Sequence, residues 1–177
     1  MKTYLVVTIT CPDRPGIVER ITEVLAAHEA NWEESRMARL GGDFAGIVLI
    51  SVAAAKVEAL AAALRALDTE RMTVVVKPTQ PAAADTLAGG SLYDLRLTGA
   101  DHEGIVHKVS AYLAGQGINV ETMETDVAPA PVSATPLFRM EAQIKVPVRL
   151  TLAELRGNLE RIGDELGVDI DVRPCAQ

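Results

Sequence analysis

One short motif occurs twice in this chain, and its repetition constrains the fold more than any other feature. The segment 13–18 reads Asp-Arg-Pro-Gly-Ile-Val, and the segment 101–106 reads Asp-His-Glu-Gly-Ile-Val. Before each segment apolar residues alternate, and after it they recur every three or four positions, which predicts a strand, a turn and a helix. The sequence therefore predicts two copies of one domain, each with the motif at its first strand-to-helix turn.

The alternating and helical patterns recur in the same order in both copies. The first copy predicts strands at about 3–10, Trp32–Leu40, Phe44–Val52 and Met72–Val76, with helices from Ile17 to near Ala30 and over Val57–Leu67. The second copy predicts strands from Tyr93, Ile118, Phe138 and Val168, with helices from Ile105 and Leu152. The order β-α-β-β-α-β predicts an α+β protein of two ferredoxin-like domains. In each domain, two helices cover one face of a four-stranded antiparallel sheet.

Composition places the domain limits. The first domain is predicted at 1–78 and the second at 92–177, with 79–91, rich in Pro, Ala and Gly, as a linker. Phe44 aligns with Phe138, so the offset between the copies grows after the hairpin and the extra residues fall in Asp126–Thr135. This segment predicts an irregular loop that serves as a lid or an arm for a neighbouring subunit, or is a plain exposed insertion.

Charge and composition exclude several classes of protein. The net charge is −7 without any Lys/Arg run, which argues against direct binding of nucleic acid, and an aromatic content of 3% argues against base-stacking modules. No apolar run approaches the length of a membrane span and the N-terminus reads as a strand, so we expect a cytoplasmic protein without membrane contact. Cys11 and Cys175 have no metal-ligand spacing, so we expect reduced thiols, no metal and no other cofactor.

The repeated turn is the candidate binding site. The first N–H groups of a helix have no partner within the helix, and the helix dipole favours negative charge there, so a carboxylate can bind without a basic side chain. Gly16 and Gly104 leave room for close approach. An amino-acid zwitterion suits this chemistry, because its carboxylate can accept from N–H groups of 16–18 while its ammonium donates to Asp13 or Asn31.

A structural interpretation of the same residues stays open. Asp13 and Asp101 are common helix-capping residues, Pro15 suits an early helical position, and the glycines ease packing. Asn31 and Asn119 are also ordinary residues between a helix and a strand. Because the sequence places no nucleophile beside a base, we expect no enzymatic activity.

The motif at 13–18, followed by Asn31-Trp32-Glu33-Glu34-Ser35, resembles the ACT domain, a small amino-acid-sensing module. The second half, with its motif at 101–106 and Thr135-Pro136-Leu137-Phe138-Arg139-Met140, resembles the second ACT domain of glycine cleavage transcriptional repressors. The resemblance covers nearly the whole chain. It implies a small ligand, most often an amino acid, bound at the first strand-to-helix turn and usually at an interface with another ACT domain. Carried over position by position, it implies these ligand-binding residues: Asp13, Arg14, Pro15, Gly16, Ile17 and Asn31, and Asp101, His102, Glu103, Gly104, Ile105 and Asn119.

The resemblance implies a non-catalytic regulatory protein that binds glycine or serine and modulates a partner protein. His102 and Glu103 replace Arg14 and Pro15 in the second turn, so the ligand there differs or is absent. Any effect on transcription, such as regulation of glycine cleavage, would pass through a DNA-binding partner protein, because no DNA-reading helix is recognisable. Homo-oligomers are expected, since open sheet edges and faces tend to pair. Two alternatives stay open: a stand-alone regulatory subunit of an amino-acid or folate enzyme, and a structural dimerisation module without a ligand.

Overall fold

The structure, a computed structural model, describes residues 1–80, 90–129 and 136–175. The chain separates into two compact units, 1–84 and 85–177. The predicted linker 79–91 lies largely outside the described residues. At its two ends, Thr79 is the last residue of one strand and Ser91 the first residue of the next.

The first unit has the predicted order of elements. They are β1 (Lys2–Pro12), α1 (Ile17–Ala27), β2 (Asn31–Leu40), β3 (Asp43–Ala53), α2 (Val57–Arg65) and β4 (Thr73–Thr79). The sheet order is β2-β3-β1-β4 and every pairing is antiparallel. The apolar run 47–50 lies in β3, which has a neighbouring strand on each side.

The second unit repeats the arrangement. Its elements are β5 (Ser91–Ala100), α3 (Ile105–Gly115), β6 (Asn119–Pro129), β7 (Pro136–Val146), α4 (Leu152–Leu166) and β8 (Val168–Pro174). The sheet order β6-β7-β5-β8 corresponds position by position to that of the first unit. The predicted α+β class and the two ferredoxin-like domains are therefore confirmed.

Each unit has its own core between the helices and one face of its sheet. Alternate residues of the central strands enter the core, for example Leu5, Val7 and Ile9 in the first unit. The helices contribute residues at three- and four-residue spacing, as Leu155 and Leu159 do in the second unit. Across the parts of the chain that the structure describes, no helix combines the length and apolar character needed to span a membrane.

Two strands extend further than the sequence predicted. Asp126–Pro129 belongs to β6, where Asp126 pairs with Arg139 and Pro129 with Pro136, so the prediction of an irregular loop over Asp126–Thr135 is wrong for these four residues. Residues 130–135 lie outside the described part. Strand β4 likewise continues through Pro78. Both prolines lie in edge strands, β6 and β4, where proline is tolerated because an N–H that points away from the sheet makes no sheet hydrogen bond.

Candidate functional site

The first turn presents free helix N–H groups. Gly16 is the N-cap of α1, with φ 89° and ψ 1°, and the first helical hydrogen bond runs from Arg20 N to Gly16 O at 3.1 Å. No side chain caps the N–H groups at the start of the helix. The positive φ explains the glycine, because a residue with a Cβ is strained in this conformation. Asp13 is therefore not the helix cap, and Pro15 precedes the helix instead of beginning it.

Asp13 instead ties the turn to the β2–β3 hairpin. Its carboxylate forms an ion pair with Arg39 at 3.0 Å, and its backbone N–H donates to Gly42 O at 2.9 Å. This placement leaves the carboxylate already compensated, which weakens the prediction that it holds a ligand ammonium. Sequence reasoning missed Arg39, because the contact joins β2 to a turn that is distant along the chain.

A second carboxylate lies nearer the turn. A Cβ atom at Gly16 would lie 3.8 Å from Glu19 Oε2, and apart from the adjoining residues no other atom would lie within 4 Å of it. The space above the turn is therefore open and is bordered by a carboxylate. Glu19 is in the first turn of α1, where the helix dipole favours negative charge. Sequence reasoning missed this residue, although an acid three positions after the N-cap glycine was a usable signal. The exposed Arg14 side chain lies in the same turn.

The second turn has the same backbone but different side-chain bonding. Gly104 is the N-cap of α3, with φ 92° and ψ −9°, and no atom lies within 4 Å of its Cβ position. His102 contacts two carbonyl oxygens, Glu103 O from Nδ1 at 2.9 Å and Leu166 O from Nε2 at 2.7 Å. Lys108 of α3 also pairs with Glu165 of α4. The second turn is therefore fastened to the end of α4.

His102 can make both contacts as a donor only when it is protonated, since a neutral imidazole has one N–H. Hydrogen bonds to the carbonyls of Glu103 and then Leu166 raise the pKa of His102. Because folding raises the pKa of His102, its protonation stabilises the folded state. The stabilisation is complete below about pH 6.5, the pKa of histidine in the unfolded chain, and it is lost as the pH rises through the higher pKa of the folded state.

We therefore expect His102→Ala to lower the unfolding temperature at pH ~5.5 and to have little effect at pH ~8.5. The measurement is thermal unfolding of the full chain at a series of pH values. His107→Ala, which removes an exposed histidine from α3, serves as the control. If His102→Ala lowers the unfolding temperature by the same amount at every pH, the two hydrogen bonds do not depend on the protonated imidazole, which would contradict this assignment.

Asn31 and Asn119 lie away from the turns. Asn31 pairs with Ser51, which pairs with Tyr4, whereas the turn follows Pro12. Tyr4 and Pro12 are separated by about 26 Å along β1 at about 3.3 Å per residue. One domain therefore brings residues 13–17 together with each other but not with Asn31, and the second unit separates Asn119 from residues 101–105 in the same way.

Both asparagines have a structural role at a β-bulge. The register of β2 shifts around Glu33, and that of β6 shifts around Glu121. Asn119 Nδ2 donates to Glu121 Oε1 at 2.8 Å. In the first unit, hydrogen bonds from Ser51 and then Asn31 lower the pKa of Glu33. The asparagine two residues before each bulged glutamate thus holds its carboxylate at the start of an edge strand.

The cysteines add no reactive group to either turn. Cys11 and Cys175 are free thiols, and burial raises the pKa of each, assisted at Cys175 by its hydrogen bond to Asp94 at 3.3 Å. A raised pKa keeps a thiol protonated and therefore weakly nucleophilic. Within the described ranges, no three His, Cys, Asp or Glu side chains are grouped as metal ligands would be.

Comparison with known proteins identifies the first unit. Residues 3–77 match the family model of the ACT domain. A segment of 48 residues, 27% of this chain, is 48% identical to the glycine cleavage system transcriptional repressor of Escherichia coli, and it spans only 25% of that protein.

Solved structures extend the similarity to both units. The crystal structure of an unknown protein from Galdieria sulphuraria has a TM-score of 0.86 and 36% identity, over 99% of this chain and 100% of that one. A putative glycine cleavage system transcriptional repressor has a TM-score of 0.73 and 20% identity, over 100% and 99% of the two chains, which shows a shared fold. The first half of the chain is therefore an ACT domain, and the second half repeats its fold.

Proposed function

We propose that this chain is a non-catalytic regulatory protein that binds a small amino acid, glycine or serine, at the β1–α1 turn. The observation that supports this most strongly is the open start of α1, where the N–H groups after Gly16 have no side-chain cap and the space above the glycine is empty up to Glu19. Such a helix start is a ready site for a carboxylate.

The charges around the first turn suit a zwitterion. The ligand carboxylate accepts from the N–H groups of Ile17 and Val18, and the exposed Arg14 adds positive charge nearby. The ligand ammonium donates to Glu19, whose carboxylate borders the open space. Glycine and serine suit the turn because their side chains are small. In this arrangement Asn31 contributes only from another ACT domain, in agreement with its distance from the turn.

The proposal assigns ligand binding to the first turn and not to the second. In the second turn His102 already bonds the carbonyl at the end of α4, and α3 has no acid in its first turn to receive an ammonium. His102, which aligns with Arg14 of the first turn, is thus used for a hydrogen bond within the protein. We therefore expect one amino-acid site per chain.

Regulation in this proposal passes through a partner protein. The chain is similar over a short segment to a protein named as a transcriptional repressor of glycine cleavage. Ligand at the turn changes the position of α1 or the packing of subunits, and a partner that binds DNA reads that change. A net charge of −7 disfavours direct contact with a phosphate backbone.

Calorimetric titration of the full chain with glycine and with serine tests this function. We expect saturable binding of at least one of them with a stoichiometry near one per chain. Absence of binding by every common amino acid would contradict the proposal and favour a structural module. A stoichiometry near two would show that the second turn also binds, against the assignment to the first turn alone.

A further inference from the structure

The uncovered faces of the two sheets differ in character. In the first unit, the face away from the helices has an apolar centre formed by Val6, Ile47, Leu49 and Val75, and Ile47 and Val75 are 47% and 42% exposed. A depression of about 350 Å³ lies over three of these residues. We call this surface the open face. It is not explained by ligand binding at the β1–α1 turn.

The corresponding surface of the second unit is charged. Its strands expose Arg96 and Glu141, which form an ion pair at 3.5 Å, and Asp171 and Arg173, which pair at 2.5 Å. The net charge follows the same division, because residues 1–84 have nine basic and ten acidic side chains while residues 85–177 have eight and fourteen. Repulsion between two copies is therefore weakest at the first unit.

The cross-strand register gives the open face a self-complementary row of side chains. Glu34 pairs with Leu49, Leu49 with Val6, and Val6 with Lys77, so the row across β2, β3, β1 and β4 reads acidic, apolar, apolar, basic. Glu34 contacts Arg36 on its own strand at 3.0 Å, and Lys77 has no ion pair in the described part of the chain. If a second copy presents the same row in the opposite direction, its basic end lies opposite the acidic end of the first copy, and its acidic end lies opposite the basic end.

We propose that the open face binds the open face of a second copy of this chain. A twofold axis parallel to the strands places β2 over β4 of the partner copy and β3 over its β1. Each Glu34 then faces the partner's Lys77, and Leu49 faces the partner's Val6. Stacked sheets lie about 10 Å apart, a gap that glutamate and lysine side chains reach across from opposite sides.

The size of the open face sets the strength of this association. Four strands about 4.8 Å apart and about 23 Å long present about 440 Å² on each copy. Interfaces below about 1,200 Å² in total belong to weak complexes, so the dimer is expected to depend on concentration. The apolar centre supplies the attraction, and the charged ends select the orientation.

Charge exchange at the two ends of the row tests this arrangement. Sedimentation of the full chain over a range of concentrations should show a monomer–dimer equilibrium. Glu34→Lys and Lys77→Glu should each raise the dimer dissociation constant about tenfold, because each creates two like-charge contacts per dimer. The double variant should return to within about threefold of the original chain. An equimolar mixture of the two single variants should also associate, since both contacts are then again of opposite sign.

Two further variants separate the open face from other surfaces. Ile47→Lys should remove the dimer, whereas Val148→Lys, which changes an apolar side chain that is 78% exposed in the second unit, should not. Thermal unfolding of each variant confirms that it is folded. The proposal is overturned if the chain stays monomeric at all concentrations, if Ile47→Lys associates as the original chain does, or if Glu34→Lys weakens the dimer while Lys77→Glu does not. The last result would place Glu34 over the partner's Arg36.

Discussion

Replacing Gly16 with valine is expected to abolish the stabilisation that glycine or serine gives to the full chain. Saturating ligand at a hundredfold over Kd adds roughly 2.7 kcal/mol to the free energy of unfolding of a protein with one site. Valine at φ 89° is strained, and the backbone that relieves this strain no longer directs the N–H groups of Ile17 and Val18 outward. Thermal unfolding with and without ligand measures the loss.

Gly104→Val is the matched control for this substitution. Gly104 has nearly the same conformation, φ 92°, and apart from the adjoining residues no atom comes closer than 3.8 Å to the Cβ position of either glycine, so both variants should lose about 1–3 kcal/mol of stability through backbone strain. Only the Gly16 variant should lose the response to ligand. A ligand response that survives in Gly16→Val, or disappears in Gly104→Val alone, would contradict the assignment of binding to the first turn.

Two glycines within α4 should respond to alanine with opposite signs. A Cβ on Gly163 would lie 2.6 Å from Val168 O, where the end of α4 packs against the start of β8. Gly163→Ala should therefore destabilise the second unit by about 1–3 kcal/mol, because the backbone carbonyl has little freedom to move. Urea unfolding monitored by circular dichroism measures this change.

Gly157→Ala provides the comparison within the same helix. No atom lies within 4 Å of the Cβ position at Gly157, so alanine there should stabilise the helix by about 0.5–1 kcal/mol. The two variants add the same methyl group to the same helix and differ only in what that group meets. Equal effects of the two substitutions would show that α4 does not press on β8 as described.

The repeated motif was sufficient to predict the fold and the turns. Alternation and helical spacing are local properties, and they identified the eight strands and four α-helices that the structure describes. The sequence also predicted that Gly16 and Gly104 lie at the start of a helix. Their role in the structure is to adopt a positive φ and not to relieve crowding. The strand ends were less predictable, because Pro78 and Pro129 are compatible with an edge strand but not with a central one.

The side-chain contacts at the two turns could not be predicted from the sequence, because they join residues that are distant along the chain. Asp13 was expected to cap α1 or to hold a ligand, but its partner is Arg39 of β2. His102 was the expected functional histidine of the second turn, and its bond to Leu166 O joins residues 64 positions apart. Such pairings arise only after the sheet order places the hairpin and α4 beside the turns.

The separation of Asn31 from the first turn could have been foreseen. An 11-residue helix such as α1 rises about 16 Å, so residues before and after it lie at opposite ends of the domain. The resemblance to ACT domains placed Asn31 and the first turn in one site, because the ligands of ACT domains usually lie between two domains. Within one domain Asn31 and the first turn stay apart, so a site that used both would have to lie between two domains.

The central claim is that the N–H groups at the start of α1 receive the carboxylate of an amino acid. Amide chemical shifts of the isotope-labelled full chain during titration with glycine and serine test this most directly. We predict saturable shifts at Ile17, Val18 and Glu19 for at least one of the two ligands, with little change at Val106 and His107. Unchanged resonances at Ile17–Glu19 with both ligands at saturating concentration, or equal shifts in the two turns, would contradict it.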